Sequence, residues 1–413
     1  MRNHFYKIIF VLAVCATLGL FVSTWASAQT TYNISYYVSP TGDDSSSCLF
    51  PGTPCQTIQH VIDVADGAET GPVTIHVAAG TYNEHLVMDS WESLEGGWNR
   101  DFSQQWDFEN DGLEPDIEYH TVIDGGNNGR CITLESTGDT NMITGFTIQN
   151  VYADRGGGMY NVRSSPSVSH CRFYHNWAVS DGAGMYNLNS SPAIFDCAFS
   201  ENIVTGTMSH GGGMYNASSS PNITNCDFSK NQSGGWGGGI YNYYSPSKIS
   251  NCTFSQNNAG KTGGGMVNSH GNPPPIVSNC IFSENTAVSG GGMRNTWCRP
   301  IVTNCIFWGN TAPIEGGGIF NLFDSPVITN CTFSENNSGK GGAISHRGQD
   351  NQPYAPIITN CILWGNTGGE IYINAYSFPI VTYCNIDQDG YAGQNGNIRA
   401  NPLFVGLKMT IIT

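Results

Sequence analysis

Arg155, Asp181 and His210 each stand immediately before a glycine turn, and those turns recur at a near-constant interval. If the turns stack, the three side chains lie in one file about 5 Å apart. An arginine base with a carboxylate is the kind of pair a polysaccharide lyase would use; His210 completes the candidate catalytic set, although alone it signals little. Hydrolysis needs two carboxylates roughly 5 to 9.5 Å apart, and only Asp181 is at hand. Calcium-dependent lyase chemistry needs an acidic cluster, which this file lacks. The file continues through Trp236, Thr262, Ser289, Glu315 and Lys340, and its plainer reading is a series of variable polar turn residues.

A second file follows the glycines. Met159 and its equivalents should point inward, so Tyr160, Tyr186, Tyr215 and Tyr241 point outward, followed by Val267, Arg294 and Phe320. Tyrosines on a flat face can stack on the apolar C–H faces of sugar rings and hydrogen-bond through their hydroxyls. With Trp236, they are the candidate ligand-binding residues. The competing reading is that the rings pack on one another and stabilise the sheet. No Gly-x-Ser-x-Gly, Walker or Cys-x-x-Cys motif appears, and the Gly-Gly-Gly runs precede strands rather than helices, so they are not phosphate loops.

The elements that must position these residues are set by a repeat. Pro-x-apolar-x-Asn-Cys-x-Phe-x-x-Asn recurs, followed by a loop and Gly-Gly-Gly-Met-Tyr-Asn. A period near 26 residues marks a stacked array in which no repeat buries its own apolar face. Each repeat holds three short apolar segments, too short for helices and suited to strands. The residue before each cysteine is Asn225, Asn251, Asn279, Asn304, Asn330 or Asn360, with His170, Asp196 and Tyr383 as exceptions. It falls where the inward alternation breaks, so a left-handed bend is expected there. A second asparagine file runs Asn176, Asn202, Asn231, Asn257, Asn285, Asn310, Asn336 and Asn366, with Asp389 in the ninth place. The fold expected is all-β: a parallel β-helix with three short strands per turn and a short N-terminal capping helix.

Nine cysteines occupy one repeat position: Cys171, Cys197, Cys226, Cys252, Cys280, Cys305, Cys331, Cys361 and Cys384. Stacked parallel strands hold like side chains about 4.8 Å apart and pointing the same way, whereas a disulfide needs Cβ atoms about 3.8 Å apart and turned together. The nine are therefore read as buried free thiols. Cys48 and Cys55 flank a tight loop and are expected to pair.

A net charge of −16 without a Lys/Arg-rich patch argues against nucleic acid as a partner. Arg2, Lys7, the apolar run Ile8 to Val22 and Ala26-Ser-Ala28 read as a secretory leader over residues 1–28. Cys15 lies inside the apolar run rather than at its end, against a lipobox. No later stretch reaches the roughly 20 apolar residues of a membrane span. After the leader come a cap with a helix (29–72), early turns (73–150) with an acidic projecting loop (99–119), regular repeats (151–390) and a C-terminal segment (391–413). That last segment either folds over the final turn or is a cap cut short. A calcium site in the acidic loop has no motif behind it, and no metal or other cofactor is expected.

The chain resembles the secreted right-handed parallel β-helix proteins of pectate-lyase-like architecture. The residues that carry the resemblance are the Gly-Gly-(Met/Ile) and Phe-x-x-Asn signatures, similar to polymorphic outer-membrane protein repeats. Thr121-Val-Ile-Asp-Gly-Gly126 and Ile143-Thr-Gly-Phe-Thr-Ile-Gln-Asn150 add to it. The resemblance implies export, with the glycine-strand face as substrate groove. The function expected is non-catalytic binding to glycan or another surface component by a secreted or cell-surface monomer, with polysaccharide lyase activity through Arg155, Asp181 and His210 as the alternative.

Overall fold

The computed structural model describes residues 33–66, 71–112, 115–349 and 354–404. The leader and the apolar end at 409–412 lie outside them. Within the described residues the chain winds into a parallel β-solenoid of about 10 turns, with about 26 residues per turn. The first wall has thirteen strands, from Ile34–Val38 to Ile380–Thr382. The second has twelve, from Gly80–Tyr82 to Asn385–Ile386, and the third eleven, from Leu86–Met88 to Ile371–Ile373. The segment read as a loop between the second and third walls adds a fourth strand in eight turns, from Tyr152–Arg155 to Asn337–Ser338. Its strands run only two to five residues, too short for an alternation to register in the sequence.

The walls hold register by stacking like on like. Met159, Met185, Met214, Ile240, Met266, Met293, Ile319 and Ile344 align on the third wall and are buried. Phe173, Phe199, Phe228, Phe254, Phe282, Phe307 and Phe333 form a file with centroids 4.6 to 5.0 Å apart and planes within 5° of parallel. The nine repeat cysteines lie buried and free in one file. Each directs its thiol at a nearby carbonyl, as Cys280 Sγ does to Ser278 O at 3.1 Å. All nine bend residues, from His170 (φ 50) to Tyr383 (φ 55), are left-handed. Asparagine is favoured there because its short polar side chain tolerates that region.

Three amide ladders run up the stack. The exposed one joins Asn251, Asn279, Asn304, Asn330 and Asn360. A buried one runs from Asn176 to Asn366; Asn257 Nδ2, for instance, reaches Asn285 Oδ1 at 3.0 Å and Phe228 O at 2.7 Å. Asp389 does not close this ladder. Glu370 does, accepting from Asn366 Nδ2 at 2.6 Å, while Asp389 lies in solvent paired with Arg399. A carboxylate supplies acceptors only, so it can terminate an amide ladder but not extend it. The third ladder, Asn161 through Asn321, is buried inside the third wall. The glycines ahead of that wall are sterically required. A Cβ on Gly213 would lie 2.8 Å from the Gly239 carbonyl oxygen and 3.1 Å from the Phe228 ring.

At the N-terminal end, the helix Ile58–Asp66 buries Ile58, Val61, Ile62 and Ala65. Its first two turn amides bind the Glu84 carboxylate at 2.9 and 2.8 Å, which favours an anion at a helix start. Cys48 and Cys55 form a disulfide. The acidic segment does not project freely. Its short helix Phe108–Asp111 places Phe108 against His170 at 5.3 Å and over Gly97 and Gly145. At the other end, Asn397 Oδ1 accepts the Cys384 amide at 2.9 Å, and Ile398 bridges Asn385. No described helix is long and apolar enough to cross a membrane.

Candidate functional site

The corner file has the expected register: Arg155 pairs with Asp181, and bridges continue through His210, Trp236 and Thr262. The parallel ladder brings the first three side chains into contact. Asp181 is buried, with one carboxylate oxygen 2.7 Å from His210 Nδ1 and the other 3.1 Å from Arg155 Nε. An ionised carboxylate only accepts, so the Asp181 contact calls for a proton on His210 Nδ1 and turns Nε2 away from the carboxylate. The imidazole ring is wedged between Trp236 (5.1 Å, 13°) and Tyr241 (4.5 Å, 52°). Arg155 also approaches Asp154, at 3.9 Å.

The tyrosine file exists but does not form a sugar-stacking platform. Tyr160, Tyr186, Tyr215 and Tyr241 stack at 5.2, 5.3 and 5.7 Å with planes 6 to 14° apart. Each ring's faces are therefore covered by its neighbours, and only edges and hydroxyls reach the groove. Arg130 caps Tyr160 at 3.8 Å. Tyr186 is only 4% exposed, and Phe320 is buried. Arg294 is bound to Thr262 Oγ1 at 2.9 Å and lies over Phe320 at 5.8 Å. Burial lowers its basicity. Trp236 likewise has both faces taken, by His210 and by the Lys261 ammonium at 4.2 Å. A regular β-ladder at this spacing favours ring-on-ring contact, which is why an outward column did not become an open aromatic surface. Burial raises the phenol pKa of Tyr186, Tyr215 and Tyr241, so the groove edge carries neutral hydroxyl donors.

The family described as "Right handed beta helix region" matches residues 108–274 and 214–355, more than half of the chain. The chain belongs to that family. No curated protein matches it. Among solved structures, this right-handed β-helix is similar to the pectate lyase Pel9A at 14% identity, with 92% of this chain and 90% of that one covered and a TM-score of 0.44. The PL6 family alginate lyase AlyGC gives 12% identity, 89% and 53% coverage and a TM-score of 0.46. The catalytic unit of an α-1,3-glucanase from Streptomyces thermodiastaticus gives 13%, 91% and 70%, and 0.41.

Several groups along this edge of the β-helix carry no repeat signal. Lys261 donates to Met208 Sδ at 2.9 Å while covering Trp236. Met208 belongs to a turn longer than its neighbours. Asp154 adjoins Arg155 and accepts from Ser180 Oγ at 2.8 Å. Among the described residues, only Cys48, Cys55 and His60 bring three metal-type ligand atoms together, and the disulfide consumes two of them.

Proposed function

We propose that this β-helix binds an uncharged polysaccharide along the edge between its fourth strand file and third wall, without turning it over. The observation that carries this reading is His210. Its ring is held by Asp181, Trp236 and Tyr241, beside the tyrosine file whose hydroxyls line the edge. Sugar hydroxyls match such a row of donors and acceptors. Of the cations along this edge, Arg155 is paired with Asp181, while Lys261 packs on Trp236 and Arg130 on Tyr160. The leader-like residues 1–28 place the protein outside the cell in this reading.

The Asp181–His210 pair also favours a second reading. An oriented imidazole with a free nitrogen is a competent general base, and a polysaccharide lyase would use it to abstract a proton. A glycan array combined with an assay for unsaturated uronate products separates the two. Binding predicts retention of uncharged polysaccharide, lost in His210→Ala, with no unsaturated product. Unsaturated product from a polyuronate, abolished by His210→Ala, would establish the lyase instead.

A further inference from the structure

At the far end of the third-wall strands, the chain turns toward the first wall through a left-handed residue at a recurring position; the Trp297 turn has a second, Arg299, at φ 47. In the early turns these are Arg163, Asn189 and Ser218; then come Tyr244, His270, Trp297 and Phe323, at φ 49, 58, 50 and 54. Bulky aromatic residues rarely occupy this region, and four in succession depart from what the bend itself requires. Their arrangement differs from the tyrosine file. Tyr244 and His270 lie 4.9 Å apart at 32°, His270 and Trp297 4.8 Å apart at 52°, and Trp297 and Phe323 5.5 Å apart at 27°. The rings tilt against their neighbours by 27 to 52°, more than the tyrosines do, and Trp297 is 49% exposed.

Trp297 and Phe323 line a cleft of about 530 Å³, closed by the Gly271–Pro274 loop and Tyr354 and rimmed by Arg299. The turn beneath is rigid. Asp324, buried, accepts the Cys298 amide at 3.2 Å and the Arg299 amide at 2.6 Å. That carboxylate holds the Arg299 backbone but not its guanidinium, which forms no ion pair among the described residues. An exposed, uncommitted arginine beside tilted aromatic rings stands out on a chain of net charge −16.

We propose that this cleft is a second carbohydrate site, specific for a carboxylated polysaccharide. A pyranose ring packs on Trp297 and Phe323, and a uronate carboxylate pairs with the Arg299 guanidinium. Charge complementarity selects the ligand class: the Arg299 guanidinium, exposed beside the aromatic rings, has no acidic partner among the described residues.

The test is calorimetric titration of the full mature chain with a galacturonic acid oligomer, its methyl ester and a neutral galactose oligomer. The acid oligomer should bind best. Arg299→Gln should weaken the acid by about tenfold and leave the ester unchanged, the loss of one charge-assisted hydrogen bond. Trp297→Ala should weaken acid and ester alike. Equal binding of acid and ester to the parent chain, binding by neither, or an Arg299→Gln chain with undiminished affinity for the acid would overturn the proposal. Arg299 is exposed, so that variant keeps its fold and decides the matter even where Trp297→Ala misfolds. The comparison turns on Arg299 alone, so failure of sugar binding in the His210 groove does not alter its outcome.

Discussion

His210 Nδ1 lies 2.7 Å from Asp181 Oδ1, one rung away on the same corner file. A single buried carboxylate thus fixes both an imidazole above it and a guanidinium below. Asp181→Ala should lower unfolding stability by about 1–3 kcal/mol, the range for buried groups left without a partner. Asp154→Ala, at an exposed position, should change it by less than about 0.5 kcal/mol. Urea unfolding of both variants checks this, and equal effects would show that the Asp181 network contributes nothing special.

The buried and exposed asparagine ladders should differ in energetic weight. Asn257 is fully buried and bonded at 2.7 Å to Phe228 O and 3.0 Å to Asn285 Oδ1. Removing it strands donors and acceptors away from water, so Asn257→Ala should cost about 1–3 kcal/mol. The Asn279→Ala change falls on an exposed ladder where water substitutes, so its cost should be only the roughly 1 kcal/mol of placing alanine at the left-handed φ of 54, and Asn279→Gly should cost less still. Hydrogen exchange of the flanking rungs would register the difference locally.

His346 continues the third ladder beyond Asn321, yet both its ring nitrogens are buried without partners and Asn321 Nδ2 is left unmatched. Burial holds its pKa down to about 4, from 6.5 when free. The fold therefore favours the neutral ring. Its stabilising contribution is complete above pH 6.5 and is lost as pH falls from there toward 4, by up to about 3 kcal/mol. His346→Asn restores an amide at the ladder's end. It should raise stability at neutral pH by about 1 kcal/mol and remove the loss between pH 6.5 and 4. Thermal melts across that range check both limbs, and an unchanged acid limb would assign the loss to other groups.

Among the described residues eleven free cysteines lie buried: the nine of the file, with Cys131 and Cys298. Burial pushes the Cys131 thiol up to about 12, which leaves almost no reactive thiolate at neutral pH. Thiol reagents should count near zero in the native state and these eleven after denaturation without reductant. A denatured count near zero would mean the file is disulfide-linked.

Much of this was legible because a β-solenoid converts sequence period directly into spatial files. The cysteine, methionine and phenylalanine files and the left-handed bends each follow from one residue type at one repeat position. The buried Asn161 to Asn321 ladder occupies the inward position two residues beyond each Met159-type residue, where a strand facing a core ordinarily carries an apolar side chain. What the period does not encode is ring orientation. Similar spacing gives near-parallel rings from Tyr160 to Tyr241 and tilted ones from Tyr244 to Phe323, because the first file sits on a regular strand and the second on a bend. The groove's Lys261–Met208 contact joins residues 53 apart through a turn that departs from the repeat, so no pattern announced it.

Calorimetric titration of uncharged oligosaccharides into the parent chain and its His210→Ala variant tests the functional account most directly. The account predicts saturable binding to the parent chain that weakens at least about tenfold in the variant, the loss of one well-formed hydrogen bond with its ring packing. Saturable binding of equal strength to both proteins, or none to the parent, would contradict it.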